Sequence, residues 1–197
     1  MMNYELPHLP LRSVKPRNTG ITMVMDKGLS IKEAEMFMEV SGDYVDYVKL
    51  GFGTSLLVNN LKDKVELYKR HNIGVYFGGT LFEIFLVRGM LDDYKRYLDK
   101  YNIELVEISD GSIKIPHEKK CEYIRDFSRD RIVISEVGYK RADIEINEED
   151  WIIMMKKELA SGSFKVIAEA RESGNTGIYD NCGRLKEGLI NSIISNI

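Results

Sequence analysis

Cysteine, histidine and tryptophan are scarce: two, three and one in 197 residues. Cys121 and Cys182 stand alone, with no CxxC or CxxH spacing, and read as reduced thiols of a cytoplasmic protein. His8, His71 and His117 cluster with nothing along the chain, which argues against zinc. No apolar run approaches the roughly 20 residues that span a bilayer. The opening "MMNYELPHLPLRSVKPR" has no apolar core of a secretory signal. Net charge is only −3, with no block of one sign, so neither nucleic acid nor an anionic membrane is an expected partner. Three of the four prolines fall in a polar leader over residues 1–18, leaving the body free to form regular structure.

What is present is a steady alternation. Hydrophobic residues make up 44%, enough for one sizeable core and a single domain over 1–197. Short apolar runs at 21–26, 44–51, 73–79, 103–111, 131–138 and 164–170 read as strands. Between them lie segments of helical spacing at 30–42, 60–72, 117–129 and 148–162, and a last helix near 184–195. The stretch 80–102 reads as one broken helix or two short ones. Strands linked by helices run parallel, and helices on both faces explain strands without polar alternation. The class is α/β, and periodicity alone leaves a doubly wound sheet and a (β/α)8 barrel open.

The polar residues separate these two. Asp26, Lys49, Gly78-Gly79-Thr80, Glu107 with Ser109 and Asp110, Glu136, and Glu169 with Arg171 and Glu172 all sit at or just past strand C-termini. A barrel builds its site from every strand on that face, whereas an open sheet gathers it at one switch point. The expectation is therefore a TIM (β/α)8-type barrel of parallel strands, incomplete, with about six units instead of eight.

Several of these residues can carry chemistry. Lys49 closes a buried strand just before "GFGTS", where Gly53, Thr54 and Ser55 offer space and donors for an oxyanion. Its plainer reading is a lysine paired with a neighbouring acid. Gly78, Gly79 and Thr80 suit a phosphate at a helix N-terminus, or an ordinary turn. Asp26, Glu107, Asp110, Glu136 and Glu169 would form a ring of like charges needing a cation or protons. Magnesium suits hard oxygen ligands, while pairing with Lys49, Lys140 and Arg171 is the alternative. Arg171 presents a planar fork for an oxyanion, and Lys140 is placed to give or take a proton.

Taken in order, "GITMVMDKGLS", "GDYVDYVKLGFGTSLL", "GGTLFE", "VEISDGSI", "SEVGYK" and "EARESG" resemble the phosphosulfolactate synthase family from about Arg17 to the C-terminus. The resemblance implies a (β/α)8-barrel lyase that adds sulfite to phosphoenolpyruvate with Mg2+, giving (2R)-3-phosphosulfolactate for coenzyme M or sulfolactate formation. It implies Lys140 as the acid that protonates C2. Beside it we place Lys49 as the second catalytic residue and Asp26, Glu136 and Glu169 around the metal. Substrate binding falls to Arg171, Gly53, Thr54, Ser55, Gly78, Gly79, Thr80, Ser109 and Glu172. A homo-oligomer is expected. Phe52 stands where relatives carry tryptophan, Phe77 where archaeal members carry proline, and Tyr139 where a first lysine is usual; an "AGA" stretch is replaced by "SGSFKVI". Relatives also continue past "IISNI" with two more strand-helix units, so a truncated or partial chain is expected. An aldolase using Lys49 or Lys140 as a Schiff-base amine, and an inactive remnant, are the competing readings.

Overall fold

The computed structural model describes residues 7–10, 13–140, 146–171 and 173–197. Its strands are β1 (Met23–Asp26), β2 (Tyr47–Leu50), β3 (Gly74–Phe77), β4 (Leu105–Ile108), β5 (Ile132–Val137) and β6 (Ser163–Ala168). Its helices are α1 (Ile31–Ser41), α2 (Leu61–Arg70), α3 (Gly79–Leu86), α4 (Leu91–Lys100), α5 (His117–Phe127), α6 (Glu148–Ala160) and α7 (Glu187–Asn196). Local chemistry sets these bounds. Ser30 caps α1 in a complete capping box with Glu33, and Asn147 caps α6 through the Asp150 amide. The stretch 80–102 resolves into two helices because the chain turns at Gly89, with φ +68°.

The six strands form one parallel sheet in the order β1-β2-β3-β4-β5-β6. Sequential order has no switch point, so the doubly wound alternative falls away. The sheet is also curled. Lys49 on β2 reaches Glu136 on β5, at 3.6 Å, although three strand spacings of a flat sheet would separate their backbones by about 14 Å. The result is a half-barrel, an incomplete TIM-type barrel, in agreement with the sequence. Among the described residues β1 pairs only with β2, and β6 only with β5.

Strand parity divides the core. Tyr76, Leu105 and Ile134 pack with Tyr47 and Ile167 on the inner face. Val48, Leu50, Val75, Phe77, Val106, Ile108 and Val133 point outward into the larger cluster with α1 to α5. Val137 joins a smaller cluster with Trp151, Met155 and Leu189. Burial of each such side chain is worth about 1.5–3 kcal/mol. The leader is tied to the strands' N-terminal end: Arg17 pairs with Asp46 at 2.9 Å. Both cysteines are free thiols, Cys121 buried and Cys182 exposed. No helix among the described residues is long and apolar enough to cross a membrane.

Candidate active site

Inner-face parity brings Lys49, Glu107, Glu136 and Glu169 together at the strands' C-terminal end. Lys49 Nζ lies 2.9 Å from Glu107 Oε1 and 3.6 Å from Glu136 Oε2. Lys140, just past β5, places Nζ 3.1 Å from Glu136 Oε1. Burial works against both ammonium groups, but Glu107 and Glu136 around Lys49, and Glu136, Glu169 and Glu83 around Lys140, outweigh it and hold both pKa values above the ordinary lysine range. Burial likewise opposes ionisation of Glu136, yet Lys140, Lys49 and a hydrogen bond from Glu169 keep it below its usual value. Glu107 is raised by complete burial, which its Lys49 partner only partly offsets.

Glu169 is the odd member. Burial, the Glu136 charge and the Glu136 hydrogen bond push its pKa up to about 8. The folded protein therefore holds a proton that the unfolded chain releases near 4.5, and stability falls as pH rises from about 5 to 8. Glu169→Gln is expected to flatten that fall. Chemical unfolding of metal-free protein at pH 5, 6.5 and 8 checks it; an equal slope in the variant would assign the proton elsewhere.

The glycines serve the lysines as much as any ligand. A Cβ on Gly78 would lie 2.9 Å from Lys49 Cε, and one on Gly79 would lie 2.2 Å from Ser109 Oγ. The Gly79 amide at the start of α3 donates to Glu107 Oε1 at 2.7 Å. The helix N-terminus expected to meet a phosphate therefore already holds an internal carboxylate. Thr80, one residue on, does face the cavity. In "GFGTS" the Thr54 hydroxyl donates to the Gly51 carbonyl at 2.7 Å, Ser55 is buried with its hydroxyl unpartnered, and Gly53 takes a left-handed φ of +69°. These three shape the turn, and neither hydroxyl reaches the cavity. Ser109 is also turned inside, donating to Glu83 Oε1.

Two acids read at the mouth face the helices instead. Asp26 shares the parity of Leu50, its register partner, and points outward. Its Oδ1 accepts the Gly28 and Leu29 amides at 2.7 and 2.8 Å. Its Oδ2 meets Lys64 Nζ at 2.7 Å and the Tyr68 hydroxyl at 2.8 Å. All its lone-pair positions are taken, which corrects its placement beside a metal. Asp110 likewise pairs with Lys120 at 2.8 Å, and Lys120 also meets Glu158 at 2.8 Å and the Glu136 carbonyl at 2.6 Å. The strands carry no polar alternation, so this parity was hidden; the lysines were not. Lys64 shares the buried stripe of Leu61, Val65 and Tyr68, and Lys120 that of Cys121, Ile124 and Phe127. Glu83, a lone acid in the apolar run "TLFEIFLV", carried the same signal.

A cavity of about 430 Å³ opens above the buried charges, within the range of small-molecule sites. Lys49, Lys140, Glu169, Arg171, Thr80 and Ser112 line it, with Met25 and Phe52 forming an apolar flank. Arg171 is exposed, and among the described residues its guanidinium has no ion-pair partner. Glu172 lies outside the described residues. No three of His, Cys, Asp and Glu among the described residues converge as a metal-ligand set. Glu136 and Glu169 remain as hard oxygen donors at the mouth, and the buried Glu107 Oε2 has no hydrogen-bond partner.

The family profile for (2R)-phospho-3-sulfolactate synthase (ComA) matches residues 10–197. Phosphosulfolactate synthase of Bacillus subtilis (strain 168) is 37% identical over 190 residues, 95% of this chain and 75% of that protein. Phosphosulfolactate synthase of Methanothermobacter thermautotrophicus is 39% identical over 195 residues, again 95% and 75%. Among solved structures, 3-hexulose-6-phosphate synthase superposes with a TM-score of 0.53 at 15% identity, covering 87% of this chain and 74% of that one. That likeness concerns the barrel fold alone. A match across nearly the whole chain, together with relatives well above 30% identity, places the chain in the (2R)-phospho-3-sulfolactate synthase (ComA) family.

Proposed function

We propose that the chain adds sulfite to phosphoenolpyruvate, forming (2R)-phospho-3-sulfolactate in the cytoplasm. The observation that carries this reading is one cavity bordered by three cations, Lys49, Lys140 and Arg171, above a set of buried carboxylates. Both reactants are anions, and bringing them together requires that charge be countered. Arg171, without an ion-pair partner among the described residues, is the group to receive the phosphate or the incoming sulfite. Lys49, fixed by Glu107 and Glu136, faces the carboxylate end and stabilises the charge that moves onto it when sulfur bonds to the terminal methylene. Lys140 then gives its proton to C2 and recovers one from solvent at the open mouth. An ammonium of raised pKa suffices, because a C2 carbanion is far more basic than an amine.

Magnesium fits the donor chemistry. Glu136 and Glu169 would hold it, since Mg2+ takes one or two carboxylates and draws its other ligands from water and substrate oxygens. When bound it would supply Lewis-acid stabilisation of the developing carboxylate charge. The Schiff-base alternative is less well supported: imine formation needs a neutral amine, and both lysines are held protonated. Self-association along the edges of β1 and β6 belongs to the same reading.

The test is an assay of phosphoenolpyruvate consumption. We expect loss that depends on sulfite, releases no inorganic phosphate and stops with EDTA. Consumption without sulfite, or with phosphate release, would overturn the reaction proposed.

A further inference from the structure

We propose that Glu83 is a positioning residue that seats Lys140, acting through the loop between β4 and α5. The inference rests on the reading of Lys140 as the acid, but its geometry stands alone. Glu83 is 2% exposed, on the inner side of α3 between Phe82 and Ile84. Its Oε1 accepts the Ser109 hydroxyl at 2.5 Å, and its Oε2 accepts the Ser112 amide at 3.0 Å. One carboxylate thus spans both ends of the turn 109–112. Between those anchors, Gly111 carries Lys140. Its carbonyl accepts the Lys140 amide at 3.1 Å. A Cβ at Gly111 would lie 3.1–3.2 Å from Lys140 Cε, Cδ and Cγ, so the bare backbone is the bed on which the lysine stem lies.

A carboxylate buried in an apolar helix is expensive unless its partners need the charge. Two neutral donors do not. Lys140 does: Glu83 is among the carboxylates that keep its ammonium charged. The same side chain therefore fixes the stem of Lys140 through the turn and biases its head through space. Glu136 holds Nζ from the other side at 3.1 Å, so the lysine is held between β5 and α3.

Competitive acetylation, read by mass spectrometry on the substrate-free protein, tests this without reference to any reaction. Lys62, exposed on α2, is the internal standard. In Glu83→Ala, Lys140 should acetylate several-fold faster relative to Lys62, because the turn that beds its stem loses both anchors and frees the amine; Glu83→Gln should fall between. Gly111→Ala, which pushes the stem from its bed, should also raise the ratio. An unchanged ratio in folded Glu83→Gln and Gly111→Ala would overturn the proposal even if Glu83→Ala failed to fold. Turnover gives a second readout. Glu83→Ala should lower kcat about 100-fold while KM for phosphoenolpyruvate moves less than about threefold. In a Lys140→Ala background the same change should lower kcat no further. Equal losses in both backgrounds would make Glu83 merely structural. Full turnover in Lys140→Ala would instead sink the role of Lys140 and leave the acetylation result to decide the positioning.

Discussion

Lys120→Met is expected to lower folding stability by about 3–5 kcal/mol, because it removes one partner of a buried ionic cluster and strands the others. Lys120 is fully buried, and its ammonium serves Asp110, Glu158 and the Glu136 carbonyl at 2.8, 2.8 and 2.6 Å. Without it two buried carboxylates face each other's charge. Among the described residues only His117, 3.1 Å from Glu158, remains to answer them. Burial already holds the Asp110 pKa above normal despite the lysine, so Asp110 would be driven to take up a proton. For a domain of this size the loss corresponds to a fall of about 6–20 °C in the unfolding midpoint. Adding Asp110→Asn and Glu158→Gln removes the orphaned charges and should recover most of it. Calorimetry on the single and triple variants decides the matter: a single variant melting with the wild type would mean that the cluster is not a strut. Lys120 matters for the site because it ties the end of β4 to the end of β5, the two strands that deliver Glu107 and Glu136.

That cluster also marks how far the sequence could be read. The strand-helix alternation was legible because each strand is a short apolar run and each helix an amphipathic one. The barrel was legible because polar residues followed every strand. Which acids enter the barrel was not. A strand buried on both faces has no polar side to set parity, and a shift of one residue moves a side chain from lumen to helix layer. Asp26 and Asp110 therefore read like Glu107 and Glu136, though they face the opposite way. Their partners, Lys64 and Lys120, sit on the buried stripes of their helices, and a charge there announces a buried counter-charge. The glycines misled for a related reason. Gly78 and Gly79 look like room for a ligand, but part of that room is filled by the protein's own Lys49, Ser109 and Glu107.

The other large effect concerns turnover. Lys140→Ala should lower kcat for sulfite addition by about 10²–10⁴, the usual worth of a positioned proton donor. Stability should barely change. The Lys140 side chain is 21% exposed, Glu136 keeps Lys49 as a partner at 3.6 Å, and Glu83 keeps the Ser109 hydroxyl and the Ser112 amide, so no buried carboxylate is left without a donor. Lys140→Arg separates charge from proton transfer. A guanidinium can still balance Glu136 and attract the anions, but it holds its proton too tightly to release it. KM for phosphoenolpyruvate should then stay near the wild-type value while kcat remains low, whereas the alanine variant loses on both. Stereochemistry gives a readout that altered binding alone does not mimic. A proton delivered by a fixed ammonium arrives on one face of C2, while one taken from water at an open mouth arrives on either. Residual product from the alanine variant should therefore be mixed at C2. A single enantiomer formed at the full rate would assign the proton to another group.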